Sequence, residues 1–263
     1  MVHRLSRQTG LFIGILSISI SALAGRPLAV DDADPLECGQ LQFDIGTAYE
    51  KDAGYKHWDV PFGLTYGLAP KLDVGAAFGG QFEERTELSE DTGRQHTENE
   101  TDVGDLSLGA KWRAVESCPL GTRHALAAAV KFPTADDQKE MGSGKTDYDL
   151  TWIISKSIGD KTGVHLNLGY AWIGGPEEDI LHYGLALDYQ LKDSVQWIGE
   201  AFAEKELTGD ADTVAQFNTG LRWNPADSLT LDIAAGSKLS NEAPDFIATL
   251  GLTWEFGFAS ENN

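Results

Sequence analysis

GVHLNLGYAWIGGPEEDILHYGLALDYQL, residues 163–191, decides the fold. In its first half Val164, Leu166, Leu168, Tyr170 and Trp172 alternate with His165, Asn167, Gly169 and Ala171, so a pleated strand puts one set on each face. After the turn-forming run Gly174-Gly175-Pro176-Glu177-Glu178-Asp179 the alternation resumes. Leu181, Tyr183, Leu185, Leu187, Tyr189 and Leu191 oppose His182, Gly184, Ala186, Asp188 and Gln190. Each arm runs about ten residues, the length a tilted strand needs to cross a bilayer and longer than the five or six usual in soluble sheets. One face is apolar and the other polar or small, which reads as a membrane-spanning β-hairpin.

Outward from this hairpin the pattern repeats. Leu41, Phe43, Ile45 and Tyr49 mark a first strand, Trp58 to Tyr66 a second and Val74 to Phe82 a third. A polar loop over 84–102 precedes the fourth, which carries Leu106, Leu108 and Trp112. Leu126 to Phe132 and Tyr148 to Ile154 make the fifth and sixth, and the hairpin supplies the seventh and eighth. The ninth, 195–206, has two possible registers because Trp197 and Ile198 compete for the apolar face. Phe217 to Trp223, Leu229 to Ile233 and Phe246 to Phe258 complete twelve. Tight turns (Ala69-Pro70, Gly159-Asp160, Lys192-Asp193, Pro225-Ala226) alternate with longer charged connections, and an even strand number with short turns on one side is the pattern of outer-membrane barrels, the short side periplasmic. The expected fold is all-β, an antiparallel transmembrane β-barrel of about 12 strands spanning 40–258, with a tail over 259–263. Trp58, Phe82, Trp112, Trp172, Trp223 and Trp254 near strand ends suit the interfacial girdles. A secreted β-sandwich or soluble barrel would turn its apolar face inward; the strand length and the polar opposite face weigh against it.

Residues 1–24 stand apart. His3, Arg4 and Arg7 precede the apolar run 11–23, which ends in Ala22-Leu23-Ala24, the layout of a secretory signal peptide cleaved after Ala24. That run is too short for a membrane-spanning helix, and no later apolar run approaches the length one requires. The formal charge is −21, and −23 for 18 bases against 41 acids once Arg4 and Arg7 leave. So acidic a chain should repel nucleic acid.

Asp44, Asp59, Asp73, Asp105, Asp149, Asp188, Asp232 and Glu255 fall on the polar faces with Lys111, Lys131 and Arg222, so all should line the lumen. A water-filled path lined this way favours cations; a filled interior in which these groups pair is the competing reading. His165 and His182 also face inward on adjacent strands, as a pH gate, a metal pair or hydrated lining; no third ligand is evident, and no metal or cofactor is expected. Met141-Gly142-Ser143-Gly144-Lys145-Thr146 imitates the end of a phosphate-binding loop but has Lys139 where the pattern needs Gly, so it reads as a loop. No His-x-Ser pair occurs, and His57-x-Asp59 lacks a positioned third group, so no catalytic residues and no enzyme activity are expected. The acid-rich stretches 84–100 and 210–212 lack calcium-loop spacing.

Cys38 and Cys118 both fall on the expected periplasmic side, which predicts a disulfide tying the N-terminal segment to the barrel floor, worth about 4 kcal/mol in the chain-entropy account. Within the segment 25–39, residues 26–36 fit a periplasmic latch, a partial plug or a disordered leader equally well.

Residues 26–34 (RPLAVDDAD), Lys131-Phe132-Pro133-Thr134, Gly142-Ser143-Gly144, Asp147, Ser155-Lys156 and Asn167-Leu168-Gly169-Tyr170 together resemble a family of bacterial outer-membrane barrels named for the MetA pathway of phenol degradation. The similarity covers most of 26–258. Two departures stand out: Cys38 replaces a Pro before Gly39, and five residues follow Phe258. The resemblance implies passive uptake of small solutes, aromatic compounds among them. The partners it implies are the small solute, outer-membrane lipid with its lipopolysaccharide, and the barrel-assembly machinery. Two other functions compete with a channel: a closed structural or ligand-binding barrel, and a hydrolase at the rim.

Overall fold

The computed structural model describes residues 27–88, 95–136, 144–207 and 212–257. The segments expected as a signal peptide and a C-terminal tail, Met141 to Ser143 and Asp210 lie outside the described residues. Thirteen strands form one antiparallel sheet: β1 Gln40–Asp52, β2 Tyr55–Ala69, β3 Leu72–Leu88, β4 Gln95–Val103, β5 Leu106–Val115, β6 Thr122–Phe132, β7 Asp147–Ile158, β8 Thr162–Trp172, β9 Ile180–Lys192, β10 Val195–Glu206, β11 Thr213–Ala226, β12 Leu229–Lys238 and β13 Phe246–Gly257. The sheet closes because β1 pairs on one side with β2 (Phe43 opposite Leu64) and on the other with β13 (Phe43 opposite Trp254). Closure removes the unpaired edges that hydrocarbon would not tolerate.

Thirteen strands make twelve staves. The first half of β3 pairs with β5 (Leu72 with Trp112, Ala77 with Ser107), while its second half pairs with β4 (Gly80 with Val103, Arg85 with Glu98). β4 and β5 thus follow one another beside β3, interrupted at Gly104-Asp105, where Gly104 N–H donates to Gly79 O at 2.7 Å. The stretch expected as a polar loop is therefore largely a hairpin. It escapes an alternation test because Gln95 to Asn99 are exposed and the cross-strand pairs from Glu83 with Glu100 to Glu87 with His96 are polar on both faces.

The apolar faces point out. Trp58, Phe82, Trp112, Trp172, Trp223 and Trp254 are all exposed on the outer surface, with Leu64, Phe78, Leu150 and Ile233 between the two ends. No helix among the described residues is long and apolar enough to cross a membrane. The ambiguous β10 resolves cleanly: Trp197 faces out at 37% exposed, and Ile198 is fully buried inside. That register also turns Gln196, Glu200, Phe202 and Glu204 inward.

The connections β2–β3, β5–β6, β7–β8, β9–β10 and β11–β12 gather at one end, the turn end, while the two-residue β1–β2 turn Ala53-Gly54 lies at the other. The longer β6–β7, β8–β9, β10–β11 and β12–β13 connections and the β3–β4 hairpin gather at the other, the loop end.

Candidate functional site

The N-terminal segment fills the turn half of the lumen. Gly39 N–H donates to Gly67 O at 2.8 Å where the segment meets β2, and only glycine permits the approach, since a Cβ at Gly67 would lie 2.0 Å from Glu37 O. From there the chain runs backwards into the barrel. Leu36 N–H donates to Asp73 at 3.1 Å, and the Asp34 carboxylate sits between Arg113 at 2.7 Å and Arg123 at 2.9 Å. Ala33 N–H donates to Ser155 Oγ at 2.8 Å, while Lys111 Nζ lies 3.1 Å from Asp31. With its amide oriented to suit both partners, Asn167 donates to Asp31 O at 2.9 Å and accepts Asp31 N–H at 2.7 Å, as a neighbouring strand would. Nearest mid-barrel, Ala29 and Val30 donate their N–H groups to Glu200, both at 2.9 Å.

Apolar contacts alternate with these bonds. Leu28 and Val30 pack on Ala186, Ile198 and Phe202, and Ala33 packs on Ala125, Ala127 and Ile153. Small inward residues make the room: a Cβ on Gly184 would lie 2.4 Å from a Val30 methyl. Between Asp31, Asp73, Lys111 and Ala127 the residual space is about 10 Å3, at the lower limit for one water. Of the three readings open for residues 26–36, the described part from Pro27 on is a plug.

The sequence-expected lumen residues divide between the two halves. Asp73 and Lys111 hold the plug directly. His165 acts behind it, with Nδ1 2.8 Å from Ser155 Oγ and Nε2 2.7 Å from Asp188, which also accepts Gln196 Nε2 at 2.7 Å. The chain Ala33–Ser155–His165–Asp188–Gln196–Arg222 therefore runs from the plug around the inner face of the wall, across β7 to β11. Ser155 is fully buried beneath the plug, so its hydroxyl serves as a strut. Asp44 accepts Thr253 Oγ1 at 2.6 Å and Gln42 Nε2 at 2.8 Å, with Glu255 opposite Gln42 on β13. Asp232 stands opposite Arg222 across β11–β12.

In the loop half several carboxylates stand beside His57, His182, Arg85 and Lys131. His182 Nε2 lies 2.7 Å from Asp149, and His57 Nε2 3.0 Å from Asp59. Glu83 accepts Tyr55 Oη at 3.2 Å and pairs with Arg85. Glu50, opposite His57, and Glu204, opposite His182, point into the same space. Lys131 bridges Asp105 at 3.0 Å and Asp147 at 2.7 Å, and these carboxylates receive the N–H groups of Thr134, Ala135 and Gly174, fastening two loop-end connections inward. His165 and His182 do not share a site: His165 stands opposite Ala186 and His182 opposite Gly169, four residues along the ladder. Among the described residues no group of three or more His, Cys, Asp or Glu is placed to hold a metal.

The expected disulfide is not formed. Cys38 Sγ lies 4.0 Å from Leu68 O at the end of β2, and Cys118 sits in the β5–β6 turn bonded to Thr122; both are free thiols. β3 lies between those two hairpin ends, so shared placement at the turn end did not bring the cysteines to one place on its circumference.

Sequence reading passed over Glu200, Glu50 and Glu204, and quoted Asp31, Asp34, Ser155 and Asn167 among the residues that carry the family resemblance, without a site role. A register for β10 would have exposed Glu200 and Glu204. The plug and its partners Ser155 and Asn167 lay within the resemblance motifs, but nothing local in the sequence joined one to the other.

Comparison with known proteins follows this geometry closely. The family described as "Putative MetA-pathway of phenol degradation" matches residues 39–256. Among solved structures, the COG4313 outer membrane channel from Pseudomonas putida F1 superposes with a TM-score of 0.67 at 16% identity, covering 86% of this chain and 98% of that one. The NanC porin gives 0.57 at 8% identity over 81% and 98%, and the KdgM porin in complex with disordered oligogalacturonate 0.54 at 7% over 81% and 99%. No curated protein sequence matches the chain.

Proposed function

Because the chain belongs to the MetA-pathway family of barrels, we propose that it is an outer-membrane channel for passive uptake of small solutes, its loop end outside and its turn end in the periplasm. The observation that carries this reading is the division of the lumen into an acidic loop half and a turn half filled by residues 27–39. Glu50, Asp59, Glu83, Asp149 and Glu204 concentrate cations at the outer mouth and disfavour anions. The segment then sets how much of the lower lumen is open. Solutes cross by diffusion, without covalent chemistry. Aromatic compounds are the solute class that the family's description favours, and the outward aromatic bands suit contact with lipid and lipopolysaccharide.

Planar-bilayer recording of the refolded full chain, and of a form lacking residues 27–36, under a potassium chloride gradient tests this. We expect small cation-preferring steps from the full chain and conductance raised at least severalfold by the deletion. Silence from both forms, each folded as judged by heat-modifiable mobility, would replace the channel with a closed binding or structural barrel. An added arm, influx of phenol into proteoliposomes faster than into empty liposomes, addresses the aromatic class.

A further inference from the structure

The chain leaves β5 at Val115 and re-enters the wall at Thr122 through Cys118-Pro119-Leu120-Gly121. Cys118 N–H donates to Thr122 O at 3.2 Å and Gly121 N–H to Cys118 O at 2.8 Å, with Gly121 at φ 70° closing the turn. Closure puts Cys118 Sγ 2.9 Å from Thr122 Oγ1, which in turn lies 2.8 Å from His124 Nε2. The imidazole stacks on Trp152 with ring centroids 5.6 Å apart. Val115, Cys118, His124, Leu126 and Trp152 line a hollow of about 300 Å3, nearly all apolar, on the outer face of the barrel beside the turn end. The plug and the lumen use none of these groups.

We propose that Cys118, with Thr122 and His124, is a thiol-exchange site that accepts small disulfides carrying an aromatic or apolar group, which rests against Trp152 and Leu126. The Cys118 thiolate attacks one sulfur of the disulfide. That S–S bond breaks as the Cys118 mixed disulfide forms, and the departing thiolate takes up the proton released from Cys118, so one disulfide and one thiol are consumed and one of each is formed. The turn supplies what the attack needs. The Thr122 hydroxyl, then the N–H groups of Thr122 and Leu120 and the His124 ring, converge on the sulfur and hold the thiol well below its usual range, to about 6. Cys38 is the internal contrast: its neighbour is the Leu68 carbonyl, an acceptor that does nothing for a thiolate. The site stands apart from the channel reading, and its test needs no conductance.

The probe is 2,2′-dithiodipyridine, whose exchange releases an absorbing thione. It is applied to the refolded full chain as Cys38→Ser, leaving Cys118, and as Cys118→Ser, leaving Cys38. At pH 6 about half of a thiol with pKa 6 is ionised against about one part in 300 of an ordinary one, and lower basicity takes back about tenfold, so Cys118 should react on the order of tenfold faster. Cys38→Ser should show its rate midpoint near pH 6, and Thr122→Val in that background should move it upward while mass spectrometry still finds one adduct. Equal rates and equal midpoints for the two single-cysteine forms would overturn the proposal, as would a rate that Thr122→Val leaves unchanged.

Discussion

Glu200 shows how much one side chain holds in place. Its carboxylate accepts the N–H groups of Ala29 and Val30 and the Asn218 amide at 2.8 Å, in a setting with little water. Removing it leaves two plug N–H groups without their acceptor, a loss of about 2–4 kcal/mol by the usual cost of charged hydrogen bonds and buried unsatisfied donors. That loss falls on the seating of the plug, since the β10 ladder to β9 and β11 is made by backbone. Glu200→Ala should therefore raise mean conductance toward that of the form lacking residues 27–36, with Glu200→Gln, which keeps an acceptor, in between. Identical currents from all three forms would separate the plug from gating. Gly184→Val acts on the same contact sterically, placing methyls where Val30 now sits, and should open the lumen without removing any polar group.

At the scale of elements, the tip of the β3–β4 hairpin stands clear of the sheet, whereas the plug is bonded to the inner wall. Up to Arg85 the β3 arm is still held by β2 (Lys56 opposite Glu84, Tyr55 opposite Arg85), and Thr86 N–H donates to Gly54 O at 2.7 Å; beyond Thr86 and Thr97 the arms pair only with each other among the described residues. Replacing residues 86–97 by Asn-Gly, a pair suited to a two-residue turn, should leave heat-modifiable folding, thermal midpoint and ion selectivity unchanged. Failure of that variant to fold would show that the hairpin guides closure at the β3–β5 seam. Lys131 plays a different part: paired with Asp105 and Asp147, it draws the starts of the β6–β7 and β8–β9 connections against the wall, so the mouth of the loop half is shaped from inside.

For the whole molecule, charge is distributed by depth. Lys111, Arg113 and Arg123 pair with Asp31 and Asp34 of the plug, and in the channel proposed above Glu50 and Glu204 are the loop-half carboxylates whose charge favours cations. Glu50→Gln with Glu204→Gln should move the reversal potential in a salt gradient toward zero, most visibly at low ionic strength, where screening is weakest. A reversal potential unmoved by the pair would assign selectivity to the plug's surroundings instead.

What could be read without coordinates was whatever repeats at short range. Alternation in residues such as Leu181 to Leu191 fixed which face is apolar, strand length set the match to a bilayer, and the turn chemistry of Ala69-Pro70 and Gly159-Asp160 ordered the ends. The lumen-facing set expected from Asp44 to Glu255 rests on pleat parity alone. Tertiary structure alone decided the partners. Ala29 meets Glu200 across 171 positions of sequence and Ala33 meets Ser155 across 122, so no window of sequence contains both halves of either contact. The cysteines make the same point from the other direction: sequence placed both at the turn end, and only the circumference of the closed barrel keeps them on separate hairpins. Parity determines which face a side chain takes; closure and shear determine whom it meets there, and a plug exists only once a closed wall surrounds it.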